Sequence, residues 1–158
     1  MDARLINKKK KIRKSKFVHL PNARTEEQTK IMREILLSGK CPFCAENLSE
    51  FHKKEIIVKG SHWLLTDNQW PYKNTKFHFL LILKDHCEMP SELVNGARIE
   101  FWDMVAFIEK RFQIKSGGLC MRFGDPKDNG GTVRHLHTHL IVPDKSDPKA
   151  DPVRFKIW

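Results

Sequence analysis

The stretch His135-Leu136-His137-Thr138-His139-Leu140-Ile141 constrains the fold more than any other part of this chain. Histidine occupies every second position, and alternate side chains of a β-strand point to the same face. The pattern therefore predicts a strand over residues 133–142, with all three histidines on one face. At about 3.4 Å per residue, His135 and His139 would lie roughly 13 Å apart along a regular strand. Because imidazole–zinc bonds measure about 2.0 Å, the three are not expected to share one ion, and we expect them to have different roles.

Local signals elsewhere predict helices and further strands. Thr25 and Gln28 form a capping box, and apolar residues recur at helical spacing as far as Gly39, which predicts a helix over 26–38. A longer amphipathic helix is predicted from about 93 to 112. Short β-type runs predict strands at 55–59, 63–67, 77–83 and 119–123. Because strands outnumber helices and the long helix falls between strands, we expect an α+β domain with a mostly antiparallel sheet of about five strands.

The length of 158 residues and the hydrophobic content of 40% suit one globular domain. No apolar run approaches the roughly 20 residues of a membrane span, and no signal-peptide core follows the basic N-terminus, so we expect a cytoplasmic protein without membrane contact. Residues 1–16 hold eight basic residues and one acid, which gives +7 of the total charge of +10. We predict a basic, disordered tail at 1–20, a domain at 21–143, and a C-terminal extension at 144–158 whose last residues dock at a sheet edge. The tail allows weak contact with nucleic acid.

The histidines suit chemistry at phosphorus. An imidazole with a pKa near 6.5 is largely neutral at pH 7 and is then a competent nucleophile. It needs a fixed tautomer, with Nδ1–H donating to an acceptor and Nε2 facing the phosphate. The loop Gly130-Gly131-Thr132 lies immediately upstream and can bring backbone N–H groups and a hydroxyl to the same anion. A surface cluster or an incidental metal site is the competing interpretation.

The chain also carries a C-x-x-C motif, Cys41-Pro42-Phe43-Cys44. In a reducing compartment this motif indicates metal binding or redox chemistry rather than a structural disulfide. The strand-then-helix setting of a thioredoxin-like redox pair is missing, which favours metal. Two thiolates do not complete a tetrahedral zinc site, so two more ligands are needed. His52, eight residues after Cys44, is one candidate for them.

Three motifs of this chain resemble motifs of the histidine-triad (HIT) family, and they follow one another along the chain in the family's order. Residues 135–141 match the family's alternation of histidine and hydrophobic residues, except at Thr138. The run Phe77 to His86 resembles the preceding strand of the family, which begins His-x-hydrophobic and ends Lys-x-His. Cys41-Pro42-Phe43-Cys44 resembles the opening knuckle of zinc-containing members. The resemblance covers roughly residues 41–143.

The resemblance implies a HIT-like fold with an N-terminal helix and a zinc knuckle. It also implies a hydrolase acting at the α-phosphate of nucleoside phosphoramidates or dinucleoside polyphosphates, with a purine nucleotide as the expected substrate. His137 would be the nucleophile that forms a covalent nucleotidyl-histidine. His139 would support the phosphate and the His137 tautomer, and Thr132 would lie near the leaving group, beside Gly131.

The resemblance assigns further residues to nucleotide and metal. Asp67 and Asn68 are both candidates to hold the ribose. The base pocket would be lined by Trp63, Leu65 and Trp70. The loop at 124–126 departs from members that carry an asparagine in this region. In zinc-containing relatives, histidines complete a structural Cys2His2 site, which here implies the ligands Cys41, Cys44, His86 and His135.

Other functions remain open at this stage. A nucleotidyltransferase is one, although the third histidine, His139, favours hydrolysis because the transferase branch typically carries glutamine there. A nucleic-acid end-processing (deadenylylating) enzyme that uses the basic tail is another. A non-enzymatic nucleotide-binding protein is the third. A homodimer is common in this fold and is expected here.

Overall fold

The sheet at the centre of the molecule is antiparallel throughout. The computed structural model describes residues 17–157, and these form five strands in the order β1-β2-β3-β5-β4. The strands are β1 (Ile56–Lys59), β2 (Trp63–Asp67), β3 (Thr75–Leu83), β4 (Gly118–Arg122) and β5 (His137–Pro143). The helices are α1 (Glu26–Ser38), α2 (Leu48–Phe51), α3 (Asn95–Arg111) and α4 (Pro126–Asn129). The predicted α+β class with about five strands is confirmed.

The two faces of the sheet have different partners. On one face, alternate strand residues pack against α3 in the main hydrophobic core, and these residues include Trp63, Leu65, Phe79 and Leu81. Full burial of a side chain of this size contributes about 1.5–3 kcal/mol, so this face supplies much of the stability. On the opposite face, Leu64, Leu80 and Ile82 pack against Leu48 of α2. Among residues 17–157, no helix is long and apolar enough to cross a membrane.

Helix α1 begins and ends at the predicted residues. The Thr25 hydroxyl oxygen accepts a hydrogen bond from the Gln28 amide at 3.1 Å. Gln28 Oε1 accepts from the Arg24 amide at 2.9 Å, so the reciprocal half of the capping box reaches one residue further back than expected. Gly39 ends the helix with a φ of 69°, a conformation that glycine adopts at little cost.

Strand β5 begins at His137, four residues later than predicted. The backbone amides before it donate to partners outside β3. The Arg134 amide donates to the Phe17 carbonyl and the Leu136 amide to the Cys87 carbonyl, both at 2.7 Å. A regular ladder cannot extend through these positions, because their amides are already committed. His135 therefore lies in an irregular segment and not on the strand.

The chain ends also differ from the prediction. Residues 17–20 do not belong to a free tail, because Val18 pairs with Val133 and the His19 amide donates to the Thr132 carbonyl at 2.8 Å. The basic residues 1–16 lie outside the described part. The predicted docking of the C-terminus at a sheet edge is wrong for its described residues. Phe155 instead lies over the β5 face, where it contacts the His139 ring.

Candidate functional site

Two of the three histidines share the sheet face that α3 leaves uncovered. His137 and His139 lie opposite Ile82 and Leu80 of β3 in register, and these apolar partners belong to the face away from α3. The centroids of the two imidazole rings are 5.1 Å apart. Both side chains are buried and line a cavity of about 530 Å³.

The His137 ring has one defined tautomer. Its Nδ1 lies 2.6 Å from the backbone oxygen of His135, which can only accept, so Nδ1 carries the proton. Burial lowers the pKa of His137 to about 4, outweighing the bond to the His135 carbonyl, which acts in the opposite direction. The ring is therefore neutral at pH 7, with an unprotonated Nε2 on a cavity-lining residue. This is the tautomer that nucleophilic attack requires.

A chain of hydrogen bonds joins His139 to His78 and Asn68. His78 Nε2 lies 2.8 Å from His139 Nδ1 and 3.0 Å from Asn68 Nδ2, and the Tyr72 amide donates to His78 Nδ1 at 3.0 Å. Burial lowers the pKa of His78 to about 4 and that of His139 well below its usual value, so both rings are neutral. His78 lies on this face because it belongs to β3, where it pairs with Ile141.

Among residues 17–157, three arginines line the cavity, none of them was foreseen, and two contact its ring side chains. Arg122 lies opposite His137 in the β4–β5 register, is buried, and has its Nη1 at 3.5 Å from His139 Nε2. Arg24 lies over the Tyr72 ring, with its guanidinium carbon 4.4 Å from the ring centroid, and donates to the Trp70 carbonyl. The only signals in the sequence were a charged residue at the end of a strand and one before a capping box. Neither signal identifies a cavity residue, because both arginines reach the cavity through contacts with distant parts of the chain.

The cavity is basic as a whole. Its cationic lining side chains outnumber its single acid, Asp151, and comprise Arg24, Lys73, Arg122, Arg154 and Lys156. A concave surface with one sign of charge concentrates oppositely charged ligands. The cavity is therefore suited to an anionic ligand.

The upstream loop lies beside the histidines as predicted. Thr132 and Gly131 both line the cavity. The Gly131 amide, however, donates to Asn129 Oδ1 at 2.8 Å and is not free for a ligand. A Cβ at Gly131 would lie 3.0 Å from Arg122 Cδ, so glycine allows the arginine to approach this closely.

The residues predicted to hold ribose and base divide between the two faces. Asn68 is buried and lines the cavity, with its Oδ1 accepting from the Trp70 amide at 2.9 Å, whereas Asp67 is exposed and outside the cavity. Trp63 and Leu65 are 0% exposed and pack against α3, so their predicted place in a base pocket is wrong. Their positions in β2 point to the helix face, where Trp63 Nε1 donates to the Ala97 carbonyl.

A Cys2His2 cluster lies next to the histidine strand. The ligand atoms of Cys41, Cys44, His86 and His135 all lie within 4.8 Å of one another. His135 Nε2 is 2.6 Å from the Leu83 carbonyl, so it carries the proton and leaves Nδ1 facing Cys41 Sγ at 3.3 Å. A histidine that ligates a metal commonly donates its other nitrogen to a carbonyl in this way.

The chemistry of the four donors fits a divalent metal. Burial raises the pKa of the Cys44 thiol to about 12, with Cys41 acting in the same direction, and a bound cation would favour the thiolates instead. His52 does not belong to the cluster, since its Nε2 bonds to Thr66 Oγ1 at 2.8 Å. Phe43, between the two cysteines, packs edge-on against the His137 ring at 5.0 Å. The knuckle and the cavity are thus in contact.

Comparisons with known proteins agree with this arrangement. A HIT family hydrolase from Clostridium thermocellum is 22% identical, with a TM-score of 0.54 over 70% of this chain and 96% of its own. A zinc-bound histidine triad family protein from Mycobacterium smegmatis is 21% identical, with a TM-score of 0.54 over 74% of this chain and 84% of its own. A hypothetical histidine triad nucleotide-binding protein from Sulfolobus tokodaii is 19% identical, with a TM-score of 0.54 over 75% and 80%. At such identities the likeness shows a common fold.

No significant match was found among curated protein sequences. The family model described as "HIT domain" matches residues 52–146, which is more than half of the chain. Strand β5, with His137 and His139, lies within this range. The chain therefore belongs to the HIT domain family.

Proposed function

We propose that this protein is a nucleotide hydrolase that acts at an α-phosphate through a covalent nucleotidyl-His137 intermediate. The observation that carries the proposal is the His137 ring itself, which is neutral, protonated on Nδ1 and placed on a basic cavity. Membership of a family whose relatives include a hydrolase and a nucleotide-binding protein supports it.

The reaction takes place in two displacements. Nε2 of His137 attacks the phosphorus, a P–N bond forms, and the bond to the leaving group breaks with its electron pair leaving on that group. The proton on Nδ1 stays hydrogen-bonded to the His135 carbonyl, which stabilises the positive charge that the ring gains. Water then attacks the phosphorus and gives up a proton to solvent, and the P–N bond breaks with its electron pair returning to Nε2. His139 and Thr132 line the same cavity and would contact the phosphate and the leaving group.

The nucleotide would lie along the cavity with its base against apolar side chains. The walls include the predicted Trp70, with Met32 and Phe43 in place of Trp63 and Leu65. Of the two ribose candidates, we propose Asn68, since Asp67 points away. Asn68 is already held by the Trp70 amide, which would fix the orientation of its side chain.

We infer that the Cys2His2 cluster binds structural zinc. The ligands would be Cys41, Cys44, His86 and His135, and all four tetrahedral positions would be filled by protein. A relative with this fold is zinc-bound. The ion would hold the knuckle against the segment that precedes β5 and would leave the chemistry to His137.

A trapping experiment tests the proposed function. The protein is incubated with adenosine phosphoramidates, dinucleoside polyphosphates and adenylylated DNA, each labelled at the α-phosphate, and quenched for mass analysis. We expect label on His137 and, in His137→Ala, a loss of turnover of about 10³-fold or more. His62→Ala, outside the cavity, is the matched control and should behave as wild type.

The outcome also separates the candidates. A folded His137→Ala protein that keeps its turnover, or label on another residue, would refute the mechanism. Binding of nucleotide without turnover would select the non-enzymatic alternative. A preference for adenylylated DNA would select the end-processing alternative, which the basic lining of the cavity also favours.

A further inference from the structure

Arg122 is a buried cation without an anionic partner among residues 17–157. Its side chain is 7% exposed, and among residues 17–157 no carboxylate oxygen lies within 4.0 Å of its guanidinium. Burial of a charge is costly unless the charge is paired. The feature therefore indicates that an anion binds here at some stage.

The neighbours of Arg122 hold the guanidinium in place but leave donors free. Nε donates to the Asn129 carbonyl at 2.9 Å, Nη1 to the Tyr72 hydroxyl at 2.9 Å, and Nη2 to the Lys156 carbonyl at 2.5 Å. The ring of Phe155 stacks over the group, with its centroid 3.7 Å from the guanidinium carbon. Arginine has five N–H groups, so two remain after these three neutral acceptors.

The guanidinium of Arg122 also lies against His139 on the side of the cavity. Nη1 of Arg122 lies 3.5 Å from His139 Nε2, and both residues line the cavity. An oxyanion that enters beside His139 can accept from the free N–H groups of the arginine.

Arg122 and His139 lie next to the proposed nucleophile. Arg122 is directly opposite His137 in the β4–β5 register, and the His137 and His139 rings are neighbours on β5. An oxygen bound between Arg122 and His139 would therefore belong to the phosphate that faces His137.

The geometry points to an oxyanion site formed by Arg122 and His139, which binds a non-bridging oxygen of the phosphate attacked by His137. The inference rests on the proposed function for the identity of that phosphate. Arg122 is then a catalytic residue, because charge that develops on this oxygen meets a fixed cation. The C-terminal segment has a positioning role, since Phe155 and the Lys156 carbonyl hold the guanidinium.

Equilibrium binding of two matched ligands tests the site. AMP carries the phosphate and adenosine lacks it, so their affinity ratio reports the oxyanion site while adenosine alone reports the rest of the cavity. We expect Arg122→Gln to weaken AMP binding by about tenfold or more and to leave adenosine binding within about twofold. Arg122→Lys keeps the charge but lacks the planar fork, so we expect an intermediate loss of AMP affinity. This variant replaces Arg122→Gln in the test if Arg122→Gln does not fold. Arg98→Gln, on the outer side of α3, is the control.

Kinetics give the second readout. Where wild type turns over a nucleotide, Arg122→Gln should lower kcat by about 10²-fold or more, with a smaller change in KM. A folded Arg122→Gln protein with unchanged AMP-to-adenosine preference and unchanged kcat would overturn the inference. A wild type without turnover, whose AMP preference still depends on Arg122, would refute the proposed function and leave the oxyanion site standing.

Discussion

At the scale of single residues, Thr138 is the one polar departure inside the histidine strand. It lies opposite Leu81 and points to the α3 face, where its hydroxyl is buried and, within residues 17–157, has no hydrogen-bond partner. Nothing in the structure explains a hydroxyl here. Because an unpaired buried hydroxyl costs about 1–3 kcal/mol, we expect Thr138→Val to raise the free energy of unfolding by about 1 kcal/mol in urea titrations.

A matched threonine provides the control for this prediction. Thr66 is equally buried, but its hydroxyl donates to the Glu55 carbonyl and contacts His52 Nε2, both at 2.8 Å. Thr66→Val should therefore lower the free energy of unfolding. If Thr138→Val is destabilising as well, the hydroxyl has a partner that the geometry does not reveal.

The residues of the site were foreseen only where strand periodicity or a local motif identifies them. His137 and His139 follow from alternation along a single strand, and Thr132 from its place next to them. Arg122 depends on the pairing of β4 with β5, and Phe155 on the course of the C-terminal segment across the sheet. Contacts of this kind join residues far apart in the chain, and no periodicity within either segment encodes them.

At the scale of elements, boundaries set by local signals were predicted and those set by distant partners were not. Helix α1 matches because Thr25 and Gly39 act on their own neighbours. Strand β5 starts late because residues 133–136 bond to Phe17, Val18 and Cys87. The same irregular segment turns His135 away from the cavity and toward the cysteines, so the late start separates the proposed metal ligands from the proposed nucleophile.

The cysteine knuckle is the element whose stability should depend on metal. Residues 41–44 belong to no helix or strand and meet the sheet through the ligand cluster and Phe43. Purified protein should contain about one zinc per chain, and Cys41→Ser should lose the metal and lower Tm. Cys120→Ser, at a free thiol outside the cluster, should keep the metal. A full equivalent of zinc in Cys41→Ser would contradict the ligand set.

At the scale of the whole molecule, the sheet separates the hydrophobic core from the site. The α3 face contains apolar packing, whereas the other face buries His78, His137, His139 and Arg122 beside the cavity. Burial of these groups costs free energy, because the imidazoles must stay unprotonated and a charged guanidinium must be desolvated. The homodimer and the weak contact of the basic tail with nucleic acid stay predictions.

This cost should appear as a dependence of global stability on pH. Burial lowers the pKa of His78 to about 4, with Arg24, Arg122 and His137 acting in the same direction, whereas the unfolded value is near 6.5. Above pH 6.5 both states are neutral, so His78 contributes no pH dependence. As the pH falls from 6.5 to about 4, the unfolded chain binds the proton first, and stability is lost.

The loss attributable to His78 is about 2–3 kcal/mol, since one pKa unit corresponds to about 1.4 kcal/mol. The measurement compares wild type with His78→Gln in urea titrations between about pH 7.5 and pH 4.5, so that acid effects common to both proteins cancel. The variant should be less stable at neutral pH, because His78 bonds to the Tyr72 amide and to His139. Its deficit should then shrink as the pH falls, because glutamine takes up no proton. Two curves that stay parallel over this range would show that the His78 ring is protonated in the folded protein as readily as in the unfolded chain.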